Sequence, residues 1–369
     1  MKNFKLLFLI LAALGVLVFS LAGGALGSAF GLGFLSAPIP HIQLAAENIS
    51  PNPLIGSFNI TNTMIGTWIA IIILIIFSIV STRKTTLIPS RIQGFVEVSL
   101  EFFINLTTSI AGKQHARRFF PLIMTIFLFV ITANWIGILP GFNTIGWVEP
   151  AHHVAEHAHH LDKDLAEVKL QVFDEVGPVN ILMPGSGNDV ITAEEWEHCH
   201  PDDHKKAGHS DSHAEKSSHI SPTNCPEETQ HAGVLVPFFR SDNTEINTTL
   251  AIAIVAMVMV HFWGFSTLGW GHAGKFINFK DGPTGFFVGI LEAISELARL
   301  ISFTFRLFGN VFAGEVLLIA MAFLVPLVGL VPFLGIELFV GAIQAFIFSI
   351  LTLVFAAMAT ISHDTHSDH

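Results

Sequence analysis

One stretch of the chain, residues 285–325, combines an apolar run too long for a bilayer with charges that a bilayer excludes. As one helix rising about 1.5 Å per residue it would extend roughly 60 Å, twice the ~30 Å hydrocarbon core. We therefore expect it to lie strongly tilted or to break. Ionisable side chains in hydrocarbon usually face partners, water or an ion path, so this stretch is the first candidate for a functional site. Its polar residues are Glu292, Glu296, Arg299, Arg306, Asn310 and Glu315.

The composition is that of a membrane protein. Of 369 residues, 51% are hydrophobic and 13% charged, and the mean hydropathy is +0.61, which is too apolar for a soluble domain of this length. The net charge of −11 comes mainly from one loop and gives no support to a nucleic-acid partner. The sequence predicts an all-α polytopic membrane protein with about five membrane helices after the N-terminus and an amphipathic interfacial helix.

Five apolar stretches are predicted to span or enter the membrane. The last two form a long tilted hairpin that breaks at the motif PLVGLVP, residues 326–332. The five stretches are residues 64–80, 119–139, 246–265, 285–325 and 333–360. The chain is accordingly divided into residues 1–22, 23–63, 64–142, 143–240, 241–282 and 283–369.

The N-terminus resembles a secretory signal peptide. Lys2 and Lys5 precede an apolar run of about 16 residues and the small-residue stretch AGGALGSA. A retained first helix is the alternative interpretation. Residues 23–63 are interpreted as an extramembrane segment.

Charge between the predicted spans indicates their orientation. Residues 91–108 carry apolar side chains at helical spacing, which is typical of an interfacial helix. A second basic connection, with Lys275 and Lys280, follows the third span. The positive-inside rule places both basic connections in the cytoplasm of a bacterial-type inner membrane. The first of these connections contains six basic residues, Arg83, Lys84, Arg91, Lys113, Arg117 and Arg118.

Residues 143–240 form a hydrophilic insertion that contains twelve of the nineteen histidines. By parity it lies opposite the basic connections, and its composition predicts large flexible parts. Cys199 and Cys225 would form a disulfide if the loop faces an oxidising compartment, and otherwise are two free thiols. Weak candidates for metal ligands are His157, His159, His160, His198, His200 and His204. The alternative is a solvated loop that binds metal adventitiously.

The polar residues of the long stretch form a pattern. Glu292, Arg299, Arg306 and Asn310 are 7, 7 and 4 residues apart, so a helix places them within about 40° of one another. Glu315 lies roughly on the opposite side, and Glu337 and Gln344 share a face of the returning helix.

These residue types suit proton traffic. Arginine stays protonated, whereas carboxylates in low dielectric can exchange protons near neutral pH. The alternative is that Glu292, Glu296 and Arg299 neutralise one another as intrahelical pairs. Arg306 has no acidic residue three or four positions away, which favours a functional role over an intrahelical pair for this residue.

Two motifs carry a family resemblance. FRLFGNVFAGE (residues 305–315) and QAFIFSILTLVF (residues 344–355) resemble subunit a of F-type ATP synthases, the stator subunit of the proton channel. The resemblance extends to TNTMIGTWIA, IPSRIQGFVE, FVITANWIGILPG and SDNTEINTTLAIA. It therefore covers most of the chain except the N-terminus and the His-rich insertion.

The resemblance implies a role for each polar residue. Arg306 would be the essential arginine that faces the carboxylates of the rotating c-ring, and Glu292 would lie in the exit half-channel on the cytoplasmic side. Residues implied for the entry half-channel are Asn310, Glu315, Glu337 and Gln344, with Glu245, Asn247 and Ser302 as further candidates.

The resemblance also has limits and further implications. Some relatives have His at the position of Glu337 and Asp at that of Glu245, and the His-rich insertion is longer than the family suggests. The implied partners are the c-ring, the peripheral-stalk b subunits and the lipid bilayer. No cofactor is expected, and covalent chemistry would belong to other subunits. Other interpretations are an independent cation/proton antiporter and a metal-binding membrane protein.

Overall fold

The computed structural model describes residues 2–28, 30–32, 42, 44–49, 59–83, 91–160, 164–174, 176–182, 190–199, 225, 231–276, 282–326 and 328–361. The helices are α1 (Lys2–Gly23), α2 (Ala25–Ser28), α3 (Asn62–Thr82), α4 (Arg91–Gly137), α5 (Ala151–His160), α6 (Ala193–Cys199), α7 (Ile246–Leu268), α8 (Gly282–Leu324) and α9 (Leu330–Thr360). The strands are β1 (Pro140–Asn143), β2 (Ile145–Pro150), β3 (Lys169–Phe173), β4 (Asn180–Ile181), β5 (Val190–Thr192) and β6 (His231–Pro237).

Five of these helices are long and apolar enough to cross a membrane: α3, α4, α7, α8 and α9. They correspond to the five predicted stretches, so the all-α polytopic fold is confirmed. The chain divides into two compact units. One comprises Met1–Asn62, Pro140–Arg240 and Val316–Gly335, and the other Thr63–Leu139, Ser241–Glu315 and Ile336–His369.

Helix α4 contains both the predicted amphipathic segment and the second predicted span. Gly112 interrupts its helical geometry with φ 73° and ψ 161°, a backbone conformation that glycine adopts without a side-chain clash. The amphipathic segment therefore ends at a change of chain direction, after which the spanning part begins.

Helices α4, α7, α8 and α9 share a buried core in the second unit. In one cluster Phe119 and Ile123 pack with Trp263 and Leu353, and in the other Val130 packs with residues of α7, α8 and α9. Lipid tails are as apolar as these side chains, so close van der Waals packing holds such helices together. Small buried residues permit it: Ala253, Ala256 and Ala345 are fully buried.

The His-rich insertion contains a five-stranded antiparallel sheet with the strand order β4-β2-β6-β3-β5. Leu170, Trp196 and Val234 lie in its core. The sequence did not predict this sheet, because short strands such as KLQVF and HAGVLVP are diluted by the polar sequence around them. Residues 200–224 lie outside the described part of the chain.

A disulfide joins Cys199, the last residue of α6, to Cys225. The sequence left undecided whether these two cysteines are paired, and in the structure they are. The bond closes a loop of 26 residues and anchors α6, whose Trp196 is part of the sheet core.

The first unit also fixes the N-terminal helix. The backbone N–H of Val328 donates to Ser20 Oγ at 3.2 Å, and Ser20 is fully buried. Both interpretations of the N-terminus predict helix α1, so the structure does not choose between them.

Replacing Cys199 and Cys225 together with Ser should destabilise the sheet by roughly 3 kcal/mol, because the loop is no longer closed in the unfolded state. We expect faster cleavage within residues 143–240 when the purified chain is treated with protease in detergent. Reduced wild-type protein should match the variant. Equal cleavage rates for the variant and the oxidised wild type would contradict a stabilising disulfide.

Candidate functional site

Arg306 lies on the exposed side of α8. Phe303 and Leu307 are buried in the helix core, whereas Ile301 and Phe305 are about half exposed. The Arg306 guanidinium donates to Ser302 Oγ at 3.3 Å and lies 5.9 Å from the Phe303 ring centroid. Packing of the apolar face of α8 therefore directs Arg306 away from its own chain.

Arg306 has no carboxylate partner within the described residues. A charged side chain on a membrane helix is costly unless it meets an opposite charge or water. Within the described part of the chain, the charge of Arg306 is therefore not compensated by an opposite charge.

Arg299 lies seven residues before Arg306 on nearly the same face of α8, but it has carboxylate partners. It forms ion pairs with Glu296 and, at 3.8 Å, with Glu292, and its guanidinium lies 5.0 Å from the Phe355 ring centroid. The sequence raised this mutual neutralisation as the alternative for these three residues, and the geometry shows it. Glu292 and Glu296 are therefore held by a fixed positive charge.

Two histidines extend this group, and the sequence reasoning missed both. Glu296 Oε2 lies 3.8 Å from His261 Nε2, and His261 Nδ1 lies 3.2 Å from His272 Nε2. The two rings belong to α7 and to the connection that follows it. Their separation of 24 or more residues from Glu296 left no local signal that could have joined them.

Glu337 and Gln344 are brought to the inner side of α9. A Cβ built on Gly314 of α8 would overlap the Glu337 carboxyl group, so glycine permits this close approach next to Glu315. Gln344 is 5% exposed, and its Nε2 has no hydrogen-bond partner in the described part of the chain. Asn310 is half-buried on α8. Buried amides and carboxyls of this kind suit a polar path.

A second polar group lies where α7 begins. Glu245 accepts hydrogen bonds from Thr63 Oγ1 at 2.6 Å and from Asn247 Nδ2 at 2.8 Å. Asp242 Oδ2 accepts weakly from Thr67 Oγ1 at 3.5 Å. The candidates Glu245 and Asn247 therefore lie together. The hydroxyls of Thr63 and Thr67 on α3 bond to Glu245 and Asp242, which the sequence did not indicate.

A chain of amides links the segment just before α7 to α4 and α9. Asn243 Nδ2 donates to Asn134 Oδ1 at 2.8 Å, and Asn134 Nδ2 donates to the Gly341 carbonyl at 3.1 Å. Asn243 is fully buried. Asn134, Asp242 and Asn243 all lie inside motifs that carry the family resemblance, which is the signal that could have identified them.

Asp242 is the titratable group of this region. It precedes the membrane helix, is 2% exposed, and its burial raises the pKa from 3.8 to about 6. Hydrogen bonds from the backbone and from Thr67 partly offset that effect. Asp242 can therefore change its protonation state close to neutral pH.

The weak metal candidates do not form a site in the described residues, where no group of three or more His, Cys, Asp or Glu could hold a metal ion. His159 Nε2 instead lies 3.2 Å from Glu197 Oε1. His157 and His198 join no such group, the side chain of His160 is not described, and His200 and His204 lie outside the described residues.

Replacing Asp242 with Asn should change how stability depends on pH. Between about pH 4 and about pH 6 the unfolded carboxyl ionises before the folded one, so wild-type stability falls as pH rises through this window. The variant lacks this loss and should be more stable near neutral pH by roughly 3 kcal/mol. Thermal unfolding in detergent, measured at both ends of the window, checks the difference.

The exposed Asp164 provides the matched control. Asp164→Asn should leave the pH dependence of unfolding unchanged. If Asp242→Asn were equally destabilising at both ends of the window, the buried carboxyl would be a structural hydrogen-bond acceptor instead.

Comparison with known proteins agrees with the family resemblance of the sequence motifs over most of the chain. Residues 64–158 and 225–357 match the family model described as ATP synthase A chain. The chain is 27% identical over 339 residues to ATP synthase subunit a of Gloeobacter violaceus, covering 88% of this chain and 100% of the relative.

A second relative agrees. The chain is 24% identical over 329 residues to ATP synthase subunit a of Solidesulfovibrio magneticus, covering 88% of this chain and 95% of the relative. No comparison supports an independent antiporter. With five membrane-length apolar helices among the described residues and a family match over more than half of its length, the chain belongs to the ATP synthase A chain family.

Proposed function

We propose that Arg306 separates two proton half-channels in the stator role that this chain has as a member of its family. The observation that carries the proposal is the exposed guanidinium on a spanning helix with no carboxylate partner among the described residues. A carboxylate of the rotating c-ring would supply the missing charge. The ring passes the face of α8 that carries Arg306.

Arg306 then has two effects on protons. Each ring carboxyl group must lose its proton before it passes Arg306. The permanent charge of Arg306 stabilises the ionised carboxylate at the interface. The same charge repels a proton that would otherwise pass directly between the half-channels. Proton flow is therefore coupled to rotation of the ring, and rotation to ATP synthesis in the partner subunits.

The entry half-channel follows the inner faces of α8 and α9. Protons reach the ring past Glu337, whose carboxyl group lies against Gly314, and past Glu315. Asn310 and the buried Gln344 line the same route. The polar group of Glu245, Asn247 and Asp242 forms its outer part. Ser302 is assigned a separate role, because its hydroxyl orients Arg306.

The exit half-channel passes Glu292. This carboxyl group is exposed on α8 and lies 3.8 Å from Arg299. A proton leaving the ring meets it after rotation. Glu292 lies on the side of the basic connections, which we place in the cytoplasm.

The opposite side carries the His-rich insertion. The disulfide between Cys199 and Cys225 supports this orientation, because disulfides persist in oxidising compartments such as the bacterial periplasm. The metal-binding interpretation has no support from the described residues.

Peripheral-stalk b helices are proposed to pack near α3. Its large side chains, among them Trp68, Ile72 and Ile76, are about half exposed. An apolar groove of about 520 Å³ lies between α3 and the start of α4, lined by Ile73, Ile76, Phe77, Val80, Arg91, Ile92 and Phe95.

Replacing Arg306 with Ala in the assembled complex should abolish proton-driven ATP synthesis, because the fixed charge at the ring is lost. The measurement is ATP formed by the complex in liposomes after an imposed proton gradient. Retained coupled synthesis would disprove the proposal.

Arg118 is a closely matched control. It donates to Ser266 Oγ at 2.7 Å and lies 5.9 Å from the Phe262 ring centroid. Arg306 has the same kinds of neighbour, because it donates to Ser302 Oγ and lies 5.9 Å from the Phe303 ring centroid. Arg118→Ala should leave coupled synthesis near the wild-type rate.

Replacing Gly314 with Ala should displace the Glu337 carboxyl group, since the new methyl group would occupy its place. A displacement that costs about 1–2 kcal/mol in the proton path would slow coupled synthesis roughly tenfold. A Cβ on Gly335 of α9, the helix that carries Glu337, meets no atom within 4 Å, so Gly335→Ala is the control. Equal rates for both variants would show that Glu337 is not on the path.

A further inference from the structure

A row of titratable side chains joins α7, the connection after it and α8. His272 Nε2 lies 3.2 Å from His261 Nδ1, and the other nitrogen of His261 lies 3.8 Å from Glu296 Oε2. Glu296 shares Arg299 with Glu292. The row thus begins at the carboxyl group assigned to the exit half-channel and ends in the connection that follows α7.

Close packing holds His272 in this row. His272 is 2% exposed, and a Cβ added to Gly264 would meet its ring at 2.5 Å. The ring centroids of Phe265 and Phe276 lie 4.9 and 5.9 Å away. The ring therefore sits in a slot that exists because residue 264 is glycine.

The hydrogens of the two rings restrict what His261 can do. A hydrogen bond between two ring nitrogens 3.2 Å apart requires that one of them carries the hydrogen and the other accepts it. When His261 is protonated, both its nitrogens carry hydrogen, so Nδ1 donates to His272 and Nε2 faces the Glu296 carboxylate. When His261 then loses the Nε2 proton, the contact with His272 is kept. His261 can therefore gain and lose a proton at one atom without losing its position.

We propose that His261 is a proton-transfer residue of the exit half-channel and that His272 positions it; this rests on the proposed function. Because 3.8 Å separates Glu296 Oε2 from His261 Nε2, the proton passes through a bridging water: the O–H bond of protonated Glu296 breaks and the Nε2–H bond of His261 forms. His261 then releases that proton to water at its partly exposed edge, where its side chain is 30% exposed. Both groups return to their starting states, so each proton that enters leaves.

The surrounding charges fit this role. Arg299 holds Glu296 from α8 and counters excess negative charge. From α4, Arg118 lies over the neighbouring Phe262 ring, and α9 contributes the apolar Phe355 beneath Arg299. The acidity of a protonated imidazole lies between that of a carboxyl group and that of water, which suits the last step of proton release near neutral pH.

The test uses the assembled ATP synthase in liposomes, with coupled ATP synthesis measured against the pH on the basic-connection side. His261→Gln keeps a hydrogen-bonding side chain but cannot titrate. We expect a rate roughly tenfold lower near neutral pH and a pH profile that differs from that of the wild type. His115 stacks on Phe119 at 5.7 Å between ring centroids, so His115→Gln is the matched control and should behave as wild type.

A second variant separates proton transfer from packing. His261→Ala leaves space for free imidazole, which should restore part of the rate when added to the medium. A wild-type rate and pH profile for His261→Gln would overturn the proposal. So would a loss that is equal at every pH and is not relieved by imidazole. Coupled synthesis retained by Arg306→Ala would instead overturn the proposed function, so the two failures are distinguishable.

Discussion

An unpaired positive charge on a membrane-spanning helix is the constraint on which the site depends. Arg306 has a serine hydroxyl and an aromatic ring as neighbours but no carboxylate among the described residues. Such a group is tolerated in a bilayer when a partner or water compensates it. Within the described residues the charge of Arg306 therefore has no compensating carboxylate, and in the proposed function a carboxylate of the rotating ring supplies it.

The core of α4, α7, α8 and α9 makes this exposure possible. Buried Phe303, Leu307 and Val311 fix the rotation of α8 about its axis, and Arg306 lies outside that buried face. Because helices in lipid gain little from the hydrophobic effect, the fit of small residues such as Ala253 and Ala345 decides how firmly that orientation is held. Packing far from the arginine thus determines where its charge points.

The sequence predicted what depends on local patterns. Long apolar runs located the five membrane helices, and the spacing of Glu296 and Arg299 predicted their ion pair. The sheet in the insertion was missed because its strands are short and lie within polar sequence. The contacts of Asp242 with Thr67, and of His261 with His272 and Glu296, join residues far apart in the chain or on different elements. Hydrophobic periodicity within one helix contains no information about such contacts, and the packed structure was needed to reveal them.

Arg299 and Arg306 occupy nearly the same face of α8 but have different environments. Arg299 is paired with two carboxylates and an aromatic ring of its own chain, so its charge is balanced before any partner arrives. Arg306 is left unbalanced at the surface. In the proposed function, the ring therefore meets one uncompensated positive charge on the described part of α8 instead of two. One such charge would let one ring carboxylate at a time remain ionised at the interface, which is what stepwise rotation requires.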